Sequence, residues 1–338
     1  MKKKLLFIVI ILLAAGGAFC VLQIKHFAAS HLTIREDTIF TLPAGTSREG
    51  LNAALRQQHI VKRTRWLPGL WLMEPELANF KAGTYRFTAG MTVRQMLALL
   101  VSGREAQFSI RFVEGSSLKE WLAILDKAPY LEHNLRGVTV DKLASRLGQT
   151  SSTSFEGRFY PDTYLYTAQT QDIALLKRAE QRMNSILDQV WRDRADGLPY
   201  KTPADLLTMA SIVEKETGEP DERAKVASVF INRLRLGMRL QTDPTVIYGM
   251  GERYSGLIGK QDLATPTPYN TYVITGLPPT PIAMPGRAAL DAAAHPAKTS
   301  YLYFVANGKG GHVFSTNLVS HNQAVQQYRE SVKENHGQ

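Results

Sequence analysis

The sequence predicts an α+β protein held by one apolar helix at its N-terminus, and three observations carry that reading. Leu5 to Ile24 is a run of 20 residues without a charge. Three gapless copies of a strand, a glycine turn and a capped helix follow within the first 125 residues. A set of amphipathic helices then gives way to a β-hairpin near the C-terminus. The 338 residues suggest about two domains. A 44% hydrophobic content with charges of both signs excludes a disordered chain, a collagen-like repeat and a polytopic membrane protein. The single Cys excludes an internal disulfide framework and a Cys-rich zinc site.

The first element is the apolar run. At 1.5 Å per residue it reaches about the 30 Å of a bilayer core. A cleavable signal has a shorter apolar region and a small-x-small exit, whereas this run continues through Val21 and Leu22 into Lys25 and His26. The expectation is an uncleaved single-pass anchor over residues 1–24. Lys2, Lys3 and Lys4 place the N-terminus in the cytoplasm and the rest of the chain outside it, so intracellular nucleic acid is not an expected partner. Cys20 is an apolar residue of the span, because Phe19 before it does not suit lipid processing. Of the +10 net charge the lysine triplet supplies +3, and the remaining +7 suits an envelope polyanion or lipid headgroups.

The repeat comes next. Gly45 to Leu55, Gly90 to Leu100 and Gly115 to Leu125 align without gaps, each after a strand-like stretch at Thr38 to Leu42, Gly83 to Phe87 and Phe108 to Val113. Ser47, Thr92 and Ser117, two residues after each glycine, are helix caps, and Gln95 and Glu120 complete capping boxes in the second and third copies. Leu51, Met96 and Trp121 with Leu55, Leu100 and Leu125 form the apolar face of each short helix. Such units occur in LysM modules, which bind N-acetylglucosamine polymers, and equally in α+β proteins that bind nothing there. Trp66, Trp71 and Tyr85 are either stacking surfaces for sugar rings or core.

A Ser/Thr cluster at 151–153 reads as a connection, and the aromatic-rich stretch Phe155 to Asp162 as a tight turn opening a new lobe. Leu175, Leu176, Ala179, Met183, Ile186, Leu187 and Val190 mark a helix that Gly197 to Pro199 ends. Thr202 and Pro203 start a second, with an apolar stripe centred on Leu206 and Val213, running to Glu216 and ending at Gly218. A third follows Pro220. Tyr301 to Ala306 and His312 to Ser315 form a hairpin, and Ser320 is expected to cap a final helix. The Pro- and Gly-rich stretch between the third helix and the hairpin reads as the wall of a cleft.

Chemistry narrows to carboxylates. In Ser211 to Gly218, Lys215 falls opposite the apolar stripe while Glu214 and Glu216 flank it by about 80° on either side. A carboxyl group at the edge of a buried face is partly desolvated, which raises its pKa and suits it to general acid catalysis near neutral pH. Helical geometry does not choose between the two glutamates, and an ordinary solvated helix end has the same pattern. No His-Glu-x-x-His occurs and His295, His312 and His321 lack ligand spacing, so no metal is expected. No Gly-x-Ser-x-Gly is present, and Gly308 to Gly311 shares only glycine content with a phosphate loop.

At Ala210 to Thr217, Lys225 to Leu234, Met238 to Tyr248, Tyr269 to Pro279, Ala294 to Ala297 and Phe314 to Asn317 the sequence resembles the endolytic murein transglycosylase, or YceG-like, family. The similarity runs from the anchor to the C-terminus. It implies a protein anchored in the inner membrane as a single pass with its catalytic domain in the periplasm, a LysM-like α/β subdomain over 34–110, and a mixed α+β catalytic domain over 111–338. It selects Glu216, the second glutamate of Glu-Lys-Glu, as the catalytic acid. Glu214, Gln241, Asp243, Tyr269 and Asn270 lie in family motifs and are expected in the cleft. The implied reaction cleaves the β-1,4 bond between N-acetylmuramic acid and N-acetylglucosamine within a glycan strand to leave a 1,6-anhydro end, trimming or terminating nascent strands. Peptidoglycan is then the substrate, peptidoglycan synthases are partners, and no cofactor is needed. A water-using muramidase and a non-catalytic peptidoglycan-binding scaffold are the alternatives.

Overall fold

The computed structural model describes residues 2–148 and 154–336 and is mixed α+β, with small two-stranded sheets and many helices. The Ser/Thr cluster at 151–153 lies outside the described residues. The chain divides into two compact units. The first comprises residues 1–108 with a short return over 165–170, and the second comprises 109–164 and 171–338.

The first unit begins with helix α1 (Lys2–Ala29), long and apolar enough to cross a membrane and solvent-exposed over its apolar stretch. Only its end joins the body, where Ile24, Phe27 and Ala28 are buried in the unit's core. Strands β1 (Thr38–Leu42) and β2 (Gly83–Phe87) pair antiparallel, with Thr38 opposite Phe87 and Phe40 opposite Tyr85. Between them lie α2 (Arg48–Gln57) and α3 (Leu67–Met73), and α4 (Val93–Ser102) follows β2. Phe40 stacks on Phe87 at 5.2 Å. Around this pair pack Leu51, Leu55, Met96 and Leu100, the apolar faces of the first two repeat copies.

The repeat's local chemistry is visible in each copy. Gly45, Gly90 and Gly115 all take the left-handed conformation, with φ of 77°, 82° and 75°. Only glycine adopts this without a Cβ penalty. Ser47 caps α2 by accepting from Gly50 N, and Thr92 with Gln95 forms a full capping box at α4. Tyr85 is wholly buried with its hydroxyl donating to Lys81 O at 2.8 Å, Trp71 is 7% exposed, and Trp66 packs partly buried against the same core. Tyr85 and Trp71 therefore serve as core.

The chain passes into the second unit within β3 (Phe108–Arg111) and re-enters the first briefly within β4 (Thr163–Tyr166). The second unit holds α5 (Leu118–Lys127), capped by the Ser117–Glu120 box of the third repeat copy, and α6 (Val140–Leu147). Trp121 of α5 stacks face to face on Phe112 at 3.7 Å. Next come α7 (Asp172–Asp193), α8 (Pro203–Glu216), α9 (Arg223–Arg235), α10 (Asp243–Met250), α11 (Lys260–Ala264) and α12 (Arg287–Ala294). The hairpin β5 (Tyr303–Ala306) and β6 (His312–Ser315) pairs Tyr303 with Ser315, and α13 (Leu318–His336) closes the chain.

Helix α8 is the axis of this unit. Every residue from Leu206 to Val213 is buried, and α7, α9, α10 and α12 all pack against it. The expected one-sided stripe is thus a helix buried on all faces, which is possible because its two mid-helix hydroxyls are satisfied within the backbone. Thr208 donates to Ala204 O at 2.9 Å and Ser211 to Thr208 O at 2.7 Å, while Ile282 N donates to Ser211 Oγ at 3.0 Å. Its start is as expected, with Thr202 as N-cap and Asp205 completing a capping box.

Two helix ends differ from expectation. Gly218 is not a left-handed cap, because α8 already stops at an extended Thr217, whose Oγ1 accepts from Glu219 N at 3.0 Å. Ser320 does not cap α13. Asn317 does, accepting from Ser320 N at 2.9 Å, and the helix begins three residues earlier, at Leu318. Asparagine is as strong a cap as serine, so the hydroxyl pattern alone misplaced the start.

Candidate active site

The last residue of α8 is Glu216, and its carboxyl opens into a cavity of about 420 Å³. The cavity is built from three parts of the second unit. Phe230 and Arg233 come from α9, Leu240 to Asp243 from the turn entering α10 with Tyr272 beyond it, and Tyr303, Phe304 and His321 from the C-terminal hairpin and α13.

Glu216 is intermediate in solvent exposure yet closely surrounded by protein atoms, as expected of a carboxyl at the floor of a cleft that water reaches from one side. Burial raises its pKa to about 7. The Thr242 hydroxyl donates to Glu216 Oε1 and opposes that rise, the negative charge of Asp243 adds to it, and His312 opposes it. A carboxylate in the last turn of a helix also sits at the negative end of the macrodipole, which favours the neutral form. Glu216 is therefore protonated in a substantial fraction of molecules at neutral pH, the state a general acid needs.

Thr242 is held for this contact by a relay of threonines. Its backbone N–H donates to Thr271 Oγ1 at 3.1 Å, its carbonyl accepts from Thr245 Oγ1 at 2.7 Å, and Thr245 and Thr271 share a hydrogen bond of 2.8 Å. Thr242, Thr245 and Thr271 are all buried. Gln241, next to it, has a positive φ of 51°. That turn is secured by Arg233, which donates to Arg239 O at 3.1 Å, Leu240 O at 2.9 Å and Gln241 Oε1 at 3.3 Å, and to Leu302 O at 2.7 Å. Arg233 is 7% exposed, and burial pulls its pKa down. A guanidinium is suited to this because its five donors are fixed in one plane.

The other expected residues separate into two groups. Gln241 and Asp243 line the cavity with Glu216. Asp243 accepts from the Tyr272 hydroxyl at 2.6 Å, and burial followed by that bond drives the Tyr272 phenol pKa upward, keeping it a donor. Glu214, Tyr269 and Asn270 are absent from the lining. Glu214 Oε2 accepts from Gly286 N at 2.9 Å, tying the loop before α12 to α8. Burial, against that hydrogen bond, raises its pKa as well. Tyr269 packs on Tyr248 at 4.7 Å and shares a 2.8 Å hydrogen bond with Thr280. Asn270, 1% exposed, donates to the carbonyls of Asp262, Leu263 and Thr265 at 3.1, 3.1 and 2.8 Å and so folds the loop after α11.

Sequence reasoning did not single out Thr242, Arg233, Tyr272, Tyr303 or His321. The first three lie inside motif stretches, flanking or following the residues chosen. Tyr303 and His321 stack at 5.1 Å, with the Arg233 guanidinium 5.0 Å over the Tyr303 ring. His321 Nδ1 is buried and has no hydrogen-bond partner among the described residues, and burial with nearby Arg233 lowers its pKa, which favours the neutral imidazole.

The model of the YceG-like family matches residues 40–327. The chain is 32% identical over 314 residues to the endolytic murein transglycosylase of Bacillus subtilis (strain 168), covering 87% of this chain and 85% of that protein. To the protein of the same name from Streptococcus pneumoniae serotype 2 (strain D39) it is 31% identical over 182 residues, 52% of this chain and 32% of that protein. The crystal structure of a YceG-like protein from Listeria monocytogenes superposes with a TM-score of 0.51 at 28% identity, covering 86% of this chain and 99% of that one.

Proposed function

This chain belongs to the YceG-like family, and from that premise we propose that it is an endolytic lytic transglycosylase that cuts peptidoglycan glycan strands. The observation that carries the chemistry is Glu216, a carboxyl with a pKa near 7 on the floor of a cavity walled by Phe230, Tyr272, Tyr303 and Phe304. Aromatic faces of that kind suit the apolar faces of sugar rings.

Glu216, protonated, gives its proton to the glycosidic oxygen as the bond from muramic acid C1 breaks. The resulting carboxylate accepts the proton of the muramic acid C6 hydroxyl as that oxygen bonds to C1. The strand is left with a 1,6-anhydro end, and Glu216 is protonated again for the next turnover. A glycosidase that uses water or a covalent intermediate needs a second carboxylate. Here the tethered hydroxyl takes that place and gains effective concentration from being intramolecular.

Asp243 favours one alternative, since it shares the cavity with Glu216 and could activate water. The mass of the new muramic end separates the two reactions, because a hydrolysed end is heavier by one water than an anhydro end. A muramic product of only the heavier mass would overturn the transglycosylase reading.

The anchor reading completes the proposal. With Lys2 to Lys4 in the cytoplasm and α1 in the inner membrane, both units lie in the periplasm beside the glycan, trimming or ending strands as peptidoglycan synthases extend them. The repeated strand, glycine turn and capped helix of the first unit support a LysM-like reading over 34–110, with the catalytic domain over 111–338.

A further inference from the structure

The first unit carries a small basic pocket that the glycan chemistry does not use. It has a volume of about 230 Å³ and is lined by Gln23, His26, Ser30, Lys62, Arg63 and Trp66, among others. Its place along α1 gives it meaning. Leu5 to Leu22 are all exposed, and these 18 residues rise about 27 Å, close to the thickness of a bilayer hydrocarbon core. Gln23 is the first residue beyond them, and at Ile24 the helix enters the core of the unit. The pocket therefore begins where the hydrocarbon ends, at the depth of the lipid headgroups.

Its chemistry matches that depth. Lys62 and Arg63 are exposed and belong to no ion pair among the described residues. Lys25 and Arg65, also exposed, flank the pocket in sequence, and no carboxylate lines it. Trp66, with the Arg65 guanidinium 5.6 Å from its ring, is a residue type that settles at the membrane interface. Unpaired cations gathered beside a span are attracted to anionic lipid, and an enclosed opening adds contacts that a flat basic surface lacks.

We propose that this pocket binds the phosphodiester headgroup of an anionic phospholipid in the leaflet facing the two units, with Lys62 and Arg63 pairing with the phosphate and Trp66 covering its glycerol. The proposal rests on the anchor reading. Its consequence is that the first unit sits flush on the membrane surface rather than swinging at the end of α1.

The test uses the full chain, purified in detergent and stripped of lipid, with dioleoylphosphatidylglycerol titrated and the first bound lipid counted by native mass spectrometry. Wild type is expected to hold one phosphatidylglycerol in preference to phosphatidylcholine. Lys62→Gln/Arg63→Gln is expected to bind it about 30-fold more weakly, the equivalent of about 2 kcal/mol for two interfacial charges. Arg48→Gln/Arg56→Gln, which removes two exposed charges from α2 outside the pocket, is expected to bind as wild type does. Equal binding by the Lys62/Arg63 variant, an equal loss in the α2 variant, or displacement by soluble glycerol phosphate would overturn the proposal. Reconstitution of wild type and variant into vesicles of phosphatidylcholine alone tests the anchor separately. Retention of both after alkaline washing upholds the span whatever the headgroup result, and release of both overturns it.

Discussion

The Thr242 hydroxyl donates its hydrogen bond to Glu216 Oε1, so the contact that holds the candidate acid also stabilises its charged form. The acid is tuned by opposing contacts. Burial and Asp243 push its pKa up, while Thr242 and His312 pull it down, leaving it near 7. Cleavage is expected to fall as pH rises through about 7, because the protonated carboxyl is the active form. Thr242→Val removes a contact that favours the carboxylate, so the alkaline limb should move up by about one pH unit, with a fall in rate from looser positioning. A pH–rate profile on purified glycan strands reads both effects, and an alkaline limb that moved to lower pH would contradict the assigned hydrogen bond.

Asp243→Asn should act in the opposite direction. It removes a negative charge that raises the Glu216 pKa, so the alkaline limb moves toward acid, while the asparagine oxygen can still accept from Tyr272. Cleavage should persist with anhydro ends. Complete loss of cleavage would instead point to Asp243 as a second catalytic carboxylate.

Glu156 predicts a pH dependence of stability distinct from that of activity. It is 5% exposed, accepts from Leu118 N at 2.9 Å and from the Tyr248 hydroxyl at 3.3 Å, and burial raises its pKa to about 7. The folded state thus holds a proton that the unfolded chain releases near 4.5. Stability contributed by the neutral form is complete below that pH and is lost as pH rises toward 7, to a total of about 3 kcal/mol. Glu156→Gln should flatten the decline in denaturation midpoint across that window and leave the protein more stable than wild type at pH 8.

Asn270→Ala should cost about 2–4 kcal/mol of stability, because three carbonyls lose the buried side chain that donates to them. The change should appear as a lower melting temperature. A variant that melted as wild type but failed to bind glycan would show that Asn270 contacts substrate after all.

Much of this arrangement was legible because it is local. The three glycine turns, the caps at Ser47, Thr92, Ser117 and Thr202 and the hairpin all follow from short-range rules, and each is present in the structure. What periodicity missed depends on tertiary surroundings. It read a stripe where α8 is buried all round, because hydroxyls that bond their own backbone look polar in sequence yet pack as core. It also left Glu214 and Glu216 equivalent, since both flank the same face. The family resemblance points to Glu216, and the structure gives the two different surroundings by tying Glu214 to Gly286 N and opening Glu216 into the cavity. Motif membership likewise grouped Asn270 with Gln241, although the Asn270 side chain is occupied at both ends by backbone groups, its nitrogen by carbonyls and its oxygen by Tyr272 N, while Gln241 lines the cleft.

The most direct test is digestion of purified glycan strands by wild type and Glu216→Gln in parallel, with the soluble products weighed by mass spectrometry. Wild type should release internal fragments with 1,6-anhydro ends, and Glu216→Gln, folded and melting at or above the wild-type temperature, should release none. Anhydro products from the Glu216→Gln protein at the wild-type rate would contradict the assignment of Glu216 as the acid.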